Sequence, residues 1–429
     1  MKRVLIISYY WPPSGGAGVQ RWLKFSKFLP NYGWEPIILT VDPEYASYPV
    51  IDASLGEELP SKLRVIRTKS KESFSFYKKA SGTKKIPYAG FANDKNSISF
   101  KEKIARFIRG NFFLPDPRKG WNKYARIAAE ELIHKEVIHC IISTGPPHSS
   151  HFIAKYLHAQ LNIPWIADFR DPWTDIYYYR KFYPTFLAHR INLKMEKDIL
   201  VSSSKILTVS EGFKELFIRK ECVSSDKIHI IPNGFDPFDL PSGRLPMPDA
   251  FNITYVGTLA DSYPLDTFMN CVDQLRKHDK SILLRFIGSI SGSQKEKLDG
   301  IKGLKIEYIG YVEHNTALSY MKQANILLLV IPETAESNGI LPGKIFEYLA
   351  AERPILGIGP EKGDAAKILL ETGAGRMLSS NNKEEMQNAI LEYHRAYKNK
   401  QDVVSDKSYL RYSRENLSKE LSELLNSTV

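Results

Sequence analysis

The sequence contains little cysteine: Cys140, Cys222 and Cys271 are its three, among 429 residues. They are widely separated and form neither a C-x-x-C pair nor a Cys/His ligand spacing. This usage argues against a disulfide framework and against a structural zinc site. A reducing cytoplasm is the compartment that fits it.

Long apolar runs are also missing. No stretch of about 18 apolar residues occurs, so no membrane-spanning helix is expected. The first residues place Lys2 and Arg3 before an apolar stretch, as a signal peptide does. However, Pro12, Pro13 and a glycine cluster follow where a small-residue cleavage site should lie, so this segment is predicted to be a buried strand. Internal repeats of solenoid period and low-complexity tracts are absent as well.

The length of the chain favours two domains. Composition is ordinary for a globular protein, with 43% hydrophobic and 25% charged residues. Apolar strands, glycine turns and helical patterns alternate in both halves, which predicts an α/β fold with a doubly wound parallel sheet in each domain. A proline-rich stretch at 237–248 is the predicted linker.

Positive charge is concentrated in one segment. The net charge is +11, yet Lys62 to Lys119 alone holds 16 Lys and Arg against 4 Asp and Glu. Within this segment, 100–113 fits a helix whose sides differ: Ile104, Phe107 and Ile108 on one, and Lys101, Lys103, Arg106 and Arg109 on the other. Such a helix can lie on an anionic membrane, or it can pack on its own domain with a solvated charged face. No basic and aromatic module for nucleic-acid binding is recognisable.

A glycine cluster, Gly15 to Gly18, follows the first predicted strand and opens a helix. Glycine lets the backbone approach a ligand closely and presents N–H groups at a helix start. The cluster lacks the G-x-G-x-x-G spacing, so a nicotinamide dinucleotide is not favoured.

A second glycine-containing turn lies at 339–343, between an apolar strand at 326–331 and a helical pattern at 344–351. A helix start after such a turn favours anions. Lys344 adds a cation, and Glu347, one turn into the helix, can reach hydroxyls attached to a bound phosphate. The stretch predicts a nucleotide-sugar site, with pyrophosphate on the turn and ribose on Glu347. The alternative is an ordinary βα unit with a surface Lys and Glu.

Polar residues also follow two further predicted strands. His148 comes after the strand at 138–142, and Asp168 and Asp171 come after the strand at 164–167. Open α/β sheets place their chemistry at these carboxyl ends. Asp171 is a candidate active-site carboxylate, but both aspartates could instead be salt-bridged to Arg170. His148 could contact a sugar or be structural.

The order of several segments resembles one family. The segments are GGAG (15–18), LPDPRKGW (114–121), ADFRDPW (167–173), IPNGFD (231–236), YVGTL (255–259) and PGKIFEYLA followed by RPILGIG. This chain resembles the retaining GT-B glycosyltransferases of family 4 that build bacterial surface polysaccharides. The resemblance implies two Rossmann-like domains facing a central cleft: an acceptor domain at 1–240, with a C-terminal helix at 405–429 packing back on it, and a donor domain at 246–400.

The resemblance also implies the reaction. A sugar would pass from a UDP- or GDP-sugar, used as a substrate and without a cofactor, to a carrier- or membrane-linked saccharide. The enzyme would be cytoplasmic and peripheral on the inner face of the plasma membrane. No D-x-D motif is present, which favours transfer without metal. Two other readings are a nucleotide-sugar epimerase or hydrolase of the same fold, and a basic nucleic-acid-binding protein.

The expected residue roles follow from these positions in the sequence together with the resemblance. Expected catalytic residues are Asp171, His148 and Asp168. Expected donor-binding residues are Gly15, Gly16, Gly257, Thr258, Arg285, Gly339, Ile340, Leu341, Lys344 and Glu347.

The chain departs from the family pattern at two points. The family's first glutamate is replaced by Gly339, so sugar contacts are expected on backbone N–H groups from Gly339 to Leu341. The family's Arg/Lys pair for the donor phosphates is missing from the turn after Gly257, which leaves Arg285 and Lys344 as candidates for that role.

Overall fold

The structure is a computed structural model, and it describes residues 1–71, 100–239, 247–334, 336–401 and 407–429. The described residues divide into two compact units. The first takes 1–71, 100–233 and 414–429, and the second takes the described residues between 234 and 413. Much of the predicted basic segment, 72–99, lies outside the described residues.

The strands of the described residues form two sheets. In chain order they are β1 (Lys2–Ile7), β2 (Trp34–Val41), β3 (Arg64–Thr68), β4 (Cys140–Gly145), β5 (Trp165–Phe169), β6 (Lys205–Thr208), β7 (Ile228–Ile230), β8 (Phe251–Val256), β9 (Ile282–Ile287), β10 (Lys305–Ile309), β11 (Ile326–Val330), β12 (Ile355–Ile358) and β13 (Gly375–Leu378).

The helices connect these strands. They are α1 (Ala17–Phe28), α2 (Ser54–Glu57), α3 (Phe100–Phe112), α4 (Asn122–Lys135), α5 (His151–Leu161), α6 (Phe186–Ser202), α7 (Glu211–Ile218), α8 (Asp266–His278), α9 (Gly292–Asp299), α10 (His314–Lys322), α11 (Lys344–Ala350), α12 (Asp364–Glu371), α13 (Lys383–Lys398) and α14 (Arg414–Thr428).

The first sheet is parallel, in the order β3-β2-β1-β4-β5-β6-β7. Alternate side chains of β1 enter different cores: Leu5 and Ile7 join one on one face, and Val4 and Ile6 join another on the opposite face. Helix α14 contributes its buried leucines to the second of these cores. Apolar cores on both faces explain why β1 reads as a continuous hydrophobic run.

The second sheet is also parallel, in the order β10-β9-β8-β11-β12-β13. Here Leu327 and Leu329 enter one core, whereas Ile326, Leu328 and Val330 enter the other. The prediction of two doubly wound parallel sheets is therefore confirmed.

Each strand order reverses at one point. In the first sheet the reversal lies between β1 and β4, and in the second it lies between β8 and β11. Connections on the two sides of such a point run to opposite faces, so a crevice opens at the carboxyl ends of the two strands. The four segments that leave these strands carry most of the predicted site residues.

Helix α3 forms where the sequence predicts it, but its faces are used in an unexpected way. Arg106 is buried and forms an ion pair with Glu102, with 3.0 Å between nitrogen and oxygen. Ile104 and Phe107 point to the surface. Lys101 and Lys103 are exposed as well, so the outer face of α3 carries both apolar and basic side chains.

Candidate active site

The glycine cluster after β1 accommodates a cation. A β-carbon at Gly18 would lie 1.9 Å from Nη1 of Arg170, so only glycine permits this approach. Arg170 donates from Nε to the carbonyl of Gly145 (3.2 Å) and from Nη2 to that of Pro146 (2.7 Å). Among the described residues no side chain caps α1 and none in its first turn is acidic. The guanidinium and the helix N-terminus together favour an anion here.

Gly15 and Gly16 precede this helix. The Gly15 N–H donates to the carbonyl of Val50 at 3.0 Å, so that donor is engaged within the fold. Gly16 is the residue before the helix and has φ 104°, a conformation that glycine adopts readily. The structure thus brings Gly16 close to the turn that Arg170 touches.

Asp168 is fully buried and holds α1 against the sheet. Its carboxylate accepts bonds from Arg21 Nη2 (3.2 Å), Trp22 Nε1 (2.8 Å) and Thr144 Oγ1 (2.8 Å). Arg21 also donates to the carbonyl of Pro232, and so ties down the start of the IPNGFD segment. Because its carboxylate is engaged by these three donors, Asp168 acts by positioning the side chains around it.

Asp171 lies on the loop that follows β5. Burial raises the pKa of its carboxyl, and the positive charge of Arg170 opposes that rise. Neither Asp168 nor Asp171 is salt-bridged to Arg170 within the described residues, because Arg170 is held by the two carbonyl groups instead. The alternative in which both aspartates form salt bridges with Arg170 is therefore not observed among the described residues.

Two histidines flank Gly145 at the end of β4. A β-carbon at Gly145 would lie 2.6 Å from Nε2 of His151 and 2.8 Å from Nδ1 of His148. Neither nitrogen has a hydrogen-bond partner among the described residues. Burial lowers the pKa of His148 well below its usual value and that of His151 to about 3, so both rings are neutral.

A polar network holds the ring of His151. Trp165 Nε1 can only donate, and it does so to Ser143 Oγ at 2.8 Å. The same Ser143 Oγ lies 2.8 Å from His151 Nδ1, and its hydroxyl can donate to that nitrogen or accept from it. Nε2 of His151 is directed at Gly145, beside the backbone carbonyl that holds Arg170.

The loop that carries Asp171 is held by α6 and by Lys220, which follows α7. Trp173 Nε1 donates to Asn192 Oδ1 at 3.1 Å, and its ring stacks on His148 with centroids 4.7 Å apart and planes 3° from parallel. Glu196 accepts from Thr174 and pairs with Lys220 at 3.1 Å. These contacts fix the loop from Asp171 onward relative to His148.

An aromatic pocket of about 110 Å³ opens beside this loop. His148, Trp173 and Tyr178 belong to its wall, together with the end of α3 and part of α6. The charge of Asp171 helps to raise the pKa of Tyr178, after burial, so that carboxylate lies near the pocket. Flat apolar walls with a few polar groups are typical of small-molecule sites.

In the second unit, the site centres on Lys344 at the start of α11. Its Nζ donates to Tyr255 Oη at 2.7 Å and lies 3.9 Å from the centre of the Tyr255 ring. The Tyr255 hydroxyl donates in turn to the carbonyl of Thr258 at 2.7 Å. Burial lowers the pKa of Lys344 to about 7, although Glu347 acts in the opposite direction.

The backbone at Gly257 lies close to the ammonium group of Lys344. Its φ is +120°, and a β-carbon there would lie 3.3 Å from Lys344 Nζ. Gly288, after β9, also has positive φ, and a β-carbon there would lie 2.5 Å from the carbonyl oxygen of Gly257. Helix α11 has only seven residues, so its dipole is small, and Lys344 is the basic side chain at its first position.

Glu347 lies next to a histidine that the sequence reasoning did not identify. His314, the first residue of α10, has Nδ1 3.8 Å from Glu347 Oε1 and Nε2 3.8 Å from Asp239 Oδ2. All three side chains are partly exposed. A polar residue that opens a helix after a β-strand was the available signal, and it was overlooked.

The turn at 339–341 uses its own N–H groups. The Gly339 N–H donates to the carbonyl of Glu336 (3.1 Å), and the Ile340 N–H donates to that of Ser337 (3.2 Å). These two donors are therefore engaged in the turn, and the side chain of Leu341 is buried in the core. A sugar would have to compete with the turn for the first two.

Arg285 is held within its sheet. Its Nε lies 2.8 Å from Glu307 Oε2 on the neighbouring strand, and its guanidinium stacks over Tyr320. These partners belong to β10 and α10, and the structure does not bring Arg285 to the Lys344–Tyr255 contact. The sequence reasoning missed Tyr255, although it lies in the YVGTL segment that helped to indicate the family.

Metal-ion and membrane criteria give two further findings. Within the described residues, no group of three or more His, Cys, Asp or Glu could hold a metal ion. A search of the same residues yields no helix with the length and apolar character needed to cross a bilayer.

Two family models match the chain. Glycosyltransferase Family 4 matches residues 90–237, and Glycosyl transferases group 1 matches residues 250–395. The two matches together span most of the chain and fall on its two halves in order. The chain belongs to the family-4-type glycosyltransferases with the GT-B fold. A comparison with curated proteins gives no match.

Solved structures resemble it over the whole length. Anabaena HepE in complex with UDP-glucose is 12% identical, with a TM-score of 0.62 and 100% of each chain covered. A mutant of S. aureus TarM in complex with fondaparinux, alpha-GlcNAc-glycerol and UDP is 13% identical, with a TM-score of 0.60, covering 99% of this chain and 100% of TarM. A putative UDP-N-acetylglucosamine 2-epimerase from Listeria monocytogenes is 11% identical, with a TM-score of 0.56, covering 100% of this chain and 96% of the other. At these identities the likeness concerns the fold.

Proposed function

We propose that this glycosyltransferase moves a sugar, with retention of anomeric configuration, from a UDP- or GDP-sugar to a carrier- or membrane-linked saccharide in surface-polysaccharide synthesis. The observation that carries the donor assignment is the Lys344–Tyr255–Gly257 arrangement at the reversal point of the second sheet. A half-buried lysine whose direct hydrogen-bond partner is a neutral phenol is poised for an anionic ligand.

The diphosphate of the donor would lie against Lys344 and the turn at Gly257. As the glycosidic bond breaks, negative charge develops on the leaving diphosphate, and a fixed cation stabilises it without a metal. Glu347, held near His314, would accept hydrogen bonds from the ribose hydroxyls. HepE in complex with UDP-glucose shares this fold, which supports a uridine or similar nucleotide.

In the first unit, burial lowers the pKa of His148 and of His151, so both neutral rings would act as hydrogen-bonding groups. They would bind sugar hydroxyls. Arg170 and the first turn of α1 would receive a phosphate. Asp171, with its raised pKa, would act at the reacting sugar, and the aromatic pocket next to it would hold the acceptor saccharide.

The acceptor is proposed to be held at a membrane. The basic stretch from Lys62 to Lys119 is the part of the chain that would bring the protein to an anionic inner leaflet. Of that stretch, 72–99 lies outside the described residues.

A test of the donor assignment is a panel of UDP- and GDP-sugars examined by thermal shift and then by calorimetry, with Lys344→Met as the matched variant. One or more nucleotide sugars should raise the unfolding midpoint of the native protein, and Lys344→Met should abolish that shift. If no nucleotide sugar is bound at millimolar concentration by the folded protein, the proposal fails.

A second candidate is an epimerase or hydrolase acting on the donor alone. The observation that favours it is the likeness to the Listeria protein, whose name describes a putative UDP-N-acetylglucosamine 2-epimerase. NMR of the sugar products separates the candidates. An epimerase gives a new nucleotide sugar without any acceptor, whereas a transferase releases the nucleotide diphosphate and forms a glycosidic bond to an added acceptor.

A further inference from the structure

Helices α3 and α6 present unusual outer faces. The exposed residues of α6 are Phe186, Leu187, Arg190, Leu193, Lys194, Lys197 and Val201. Those of α3 are Phe100, Lys101, Lys103, Ile104, Phe107 and Phe112. Every one of these side chains is either apolar or basic. The degree of exposure is large, with Phe186 at 76%, Leu187 at 68% and Phe112 at 69%.

Another surface helix of the same unit shows that this composition is not general. The exposed residues of α14 are Glu415, Asn416, Lys419, Glu420, Glu423, Asn426 and Ser427, all polar or charged. A solvated helix normally has such a face. On α6, exposed residues recur every three or four positions and form a stripe along one side of the helix. The stripe alternates apolar and basic residues: Phe186, Arg190, Leu193, Lys197 and Val201.

The two outer faces adjoin at Asn111. Its Nδ2 donates to the carbonyl of Tyr183 at 3.0 Å, and its Oδ1 accepts from the N–H of Thr185 at 2.7 Å. Arg109, at the end of the same helix, stacks over the ring of Phe182 at 4.5 Å. The end of α3 is thereby fixed to the start of α6.

We propose that the outer faces of α3 and α6 together form a docking surface for an anionic lipid bilayer, with α6 as a contact element outside the basic stretch at 62–119. Apolar side chains enter the boundary between headgroups and acyl chains, while lysine and arginine bind the lipid phosphates. Charge selects this occupant over a second copy of the chain. A symmetric dimer through the same patch would place like charges against each other, because the exposed charged residues are all basic: Lys101, Lys103, Arg190, Lys194 and Lys197. The two half-exposed acids, Glu102 and Asp198, are each neutralised in an ion pair, with Arg106 and Lys155.

The surface also bears on the acceptor. Arg109 of α3, Phe113 just after that helix, and Asn192 of α6 line the aromatic pocket that contains His148. An acceptor anchored in the bilayer would reach this pocket from the side of the first unit on which the two helices lie, a step that rests on the proposed function.

The test is co-sedimentation of the full chain with vesicles of phosphatidylglycerol and phosphatidylethanolamine, and with vesicles of phosphatidylcholine. Wild type should bind the anionic vesicles at low salt, and binding should fall by at least about tenfold at roughly 0.5 M salt. The double variant Phe186→Ser, Leu187→Ser should lower the partition coefficient at least tenfold. Each side chain contributes burial energy, and tenfold corresponds to about 1.4 kcal/mol.

A matched control loses similar exposed apolar area elsewhere. Val137 and Leu370 are 67% and 81% exposed and lie outside both helices. The double variant Val137→Ser, Leu370→Ser should bind vesicles within twofold of wild type. Arg190→Glu with Lys194→Glu should weaken binding to anionic vesicles and flatten its salt dependence.

Three results would overturn the proposal. The first is that wild type does not bind anionic vesicles at low salt, and the second is that the Phe186→Ser, Leu187→Ser variant binds them as well as wild type does. The third is that wild type forms concentration-dependent dimers that the same variant abolishes, because the surface would then be an interface between copies of the chain. UDP affinity measured by calorimetry should be the same in all variants, so a failure of vesicle binding is distinguishable from a failure of the donor assignment.

Discussion

Binding of UDP should be coupled to proton uptake by Lys344. In the free protein, burial lowers the pKa of this lysine to about 7, from an ordinary value of 10.5. A diphosphate beside Nζ favours the charged form, so the pKa in the complex must be higher than in the free protein. Between those two values, binding therefore takes up close to one proton per UDP.

The magnitude follows from linkage. If the pKa of Lys344 returns towards 10.5 in the complex, binding at any pH above 7 requires that Lys344 first take up a proton. The affinity for UDP therefore falls roughly tenfold per pH unit from pH 8 to pH 9. The measurement is best made between pH 7 and pH 9, because the terminal phosphate of UDP, with a last pKa of about 6, is then fully ionised.

The assay is titration calorimetry of UDP in buffers with different ionisation enthalpies. Wild type should show a buffer-dependent enthalpy that corresponds to uptake of almost one proton at pH 8. Lys344→Met should bind UDP more weakly, with no buffer dependence and a flat pH profile. Lys280→Met, which alters an exposed lysine, should behave as wild type.

Stability of the free protein gives an independent check of the same pKa. The folded-state pKa of Lys344 lies below its unfolded value, so the unfolded chain binds more protons between about pH 7 and pH 10. The free energy of unfolding of wild type relative to Lys344→Met should accordingly rise with pH across that interval. An affinity for UDP that stays within twofold from pH 7 to pH 9, with no proton uptake, would refute the reasoning.

Other predictions concern the remaining site groups. Glu347→Ala should weaken UDP and UDP-sugar binding together by about 1.5–3 kcal/mol, because ribose is common to both ligands; unchanged calorimetric affinity in a folded variant would remove Glu347 from the site. Turnover should survive EDTA, since Lys344 supplies the charge for the leaving diphosphate; loss of turnover that manganese or magnesium restores would show the opposite. Asp171→Asn should reduce turnover at least 100-fold and leave UDP affinity within twofold, as measured by initial rates and calorimetry; equal losses in both would place Asp171 in nucleotide binding. Phe107→Glu should reduce binding to anionic vesicles without altering UDP affinity, and a variant that sediments with vesicles as wild type does would exclude α3 from the contact.

Periodicity and turn residues were sufficient to predict the two sheets. Residues such as Leu5 to Ile7 and Ile326 to Val330 are apolar without alternation, which is the pattern of strands covered on both faces. The polar residues after β4, β5 and β11 could be recognised because open sheets place ligands at such ends. The glycine at 257 was recognised for the same reason.

Pairing between distant side chains could not be predicted in this way. Asp168 was predicted to be a catalytic residue, but its carboxylate is bound by three donors from α1 and β4. Only the folded sheet brings these donors within 3.2 Å of the carboxylate oxygens. Arg285 has the charge that a phosphate site needs, yet Glu307 stands opposite it in the register of β9 and β10. Tyr255 was overlooked because its hydroxyl and Lys344 Nζ are separated by 89 positions in the sequence.

The return of α14 to the first unit has a consequence for synthesis of the chain. Leu417, Leu421, Leu424 and Leu425 are buried with residues of β1 and α1, which are made more than 380 residues earlier. Burial of four leucines contributes roughly 6–12 kcal/mol, comparable to the whole stability of a typical domain. The unit begun first is therefore completed last. While the second unit is being translated, the face of the first sheet that α14 covers stays open to solvent, and this interval is when a nascent chain would need a chaperone or would aggregate.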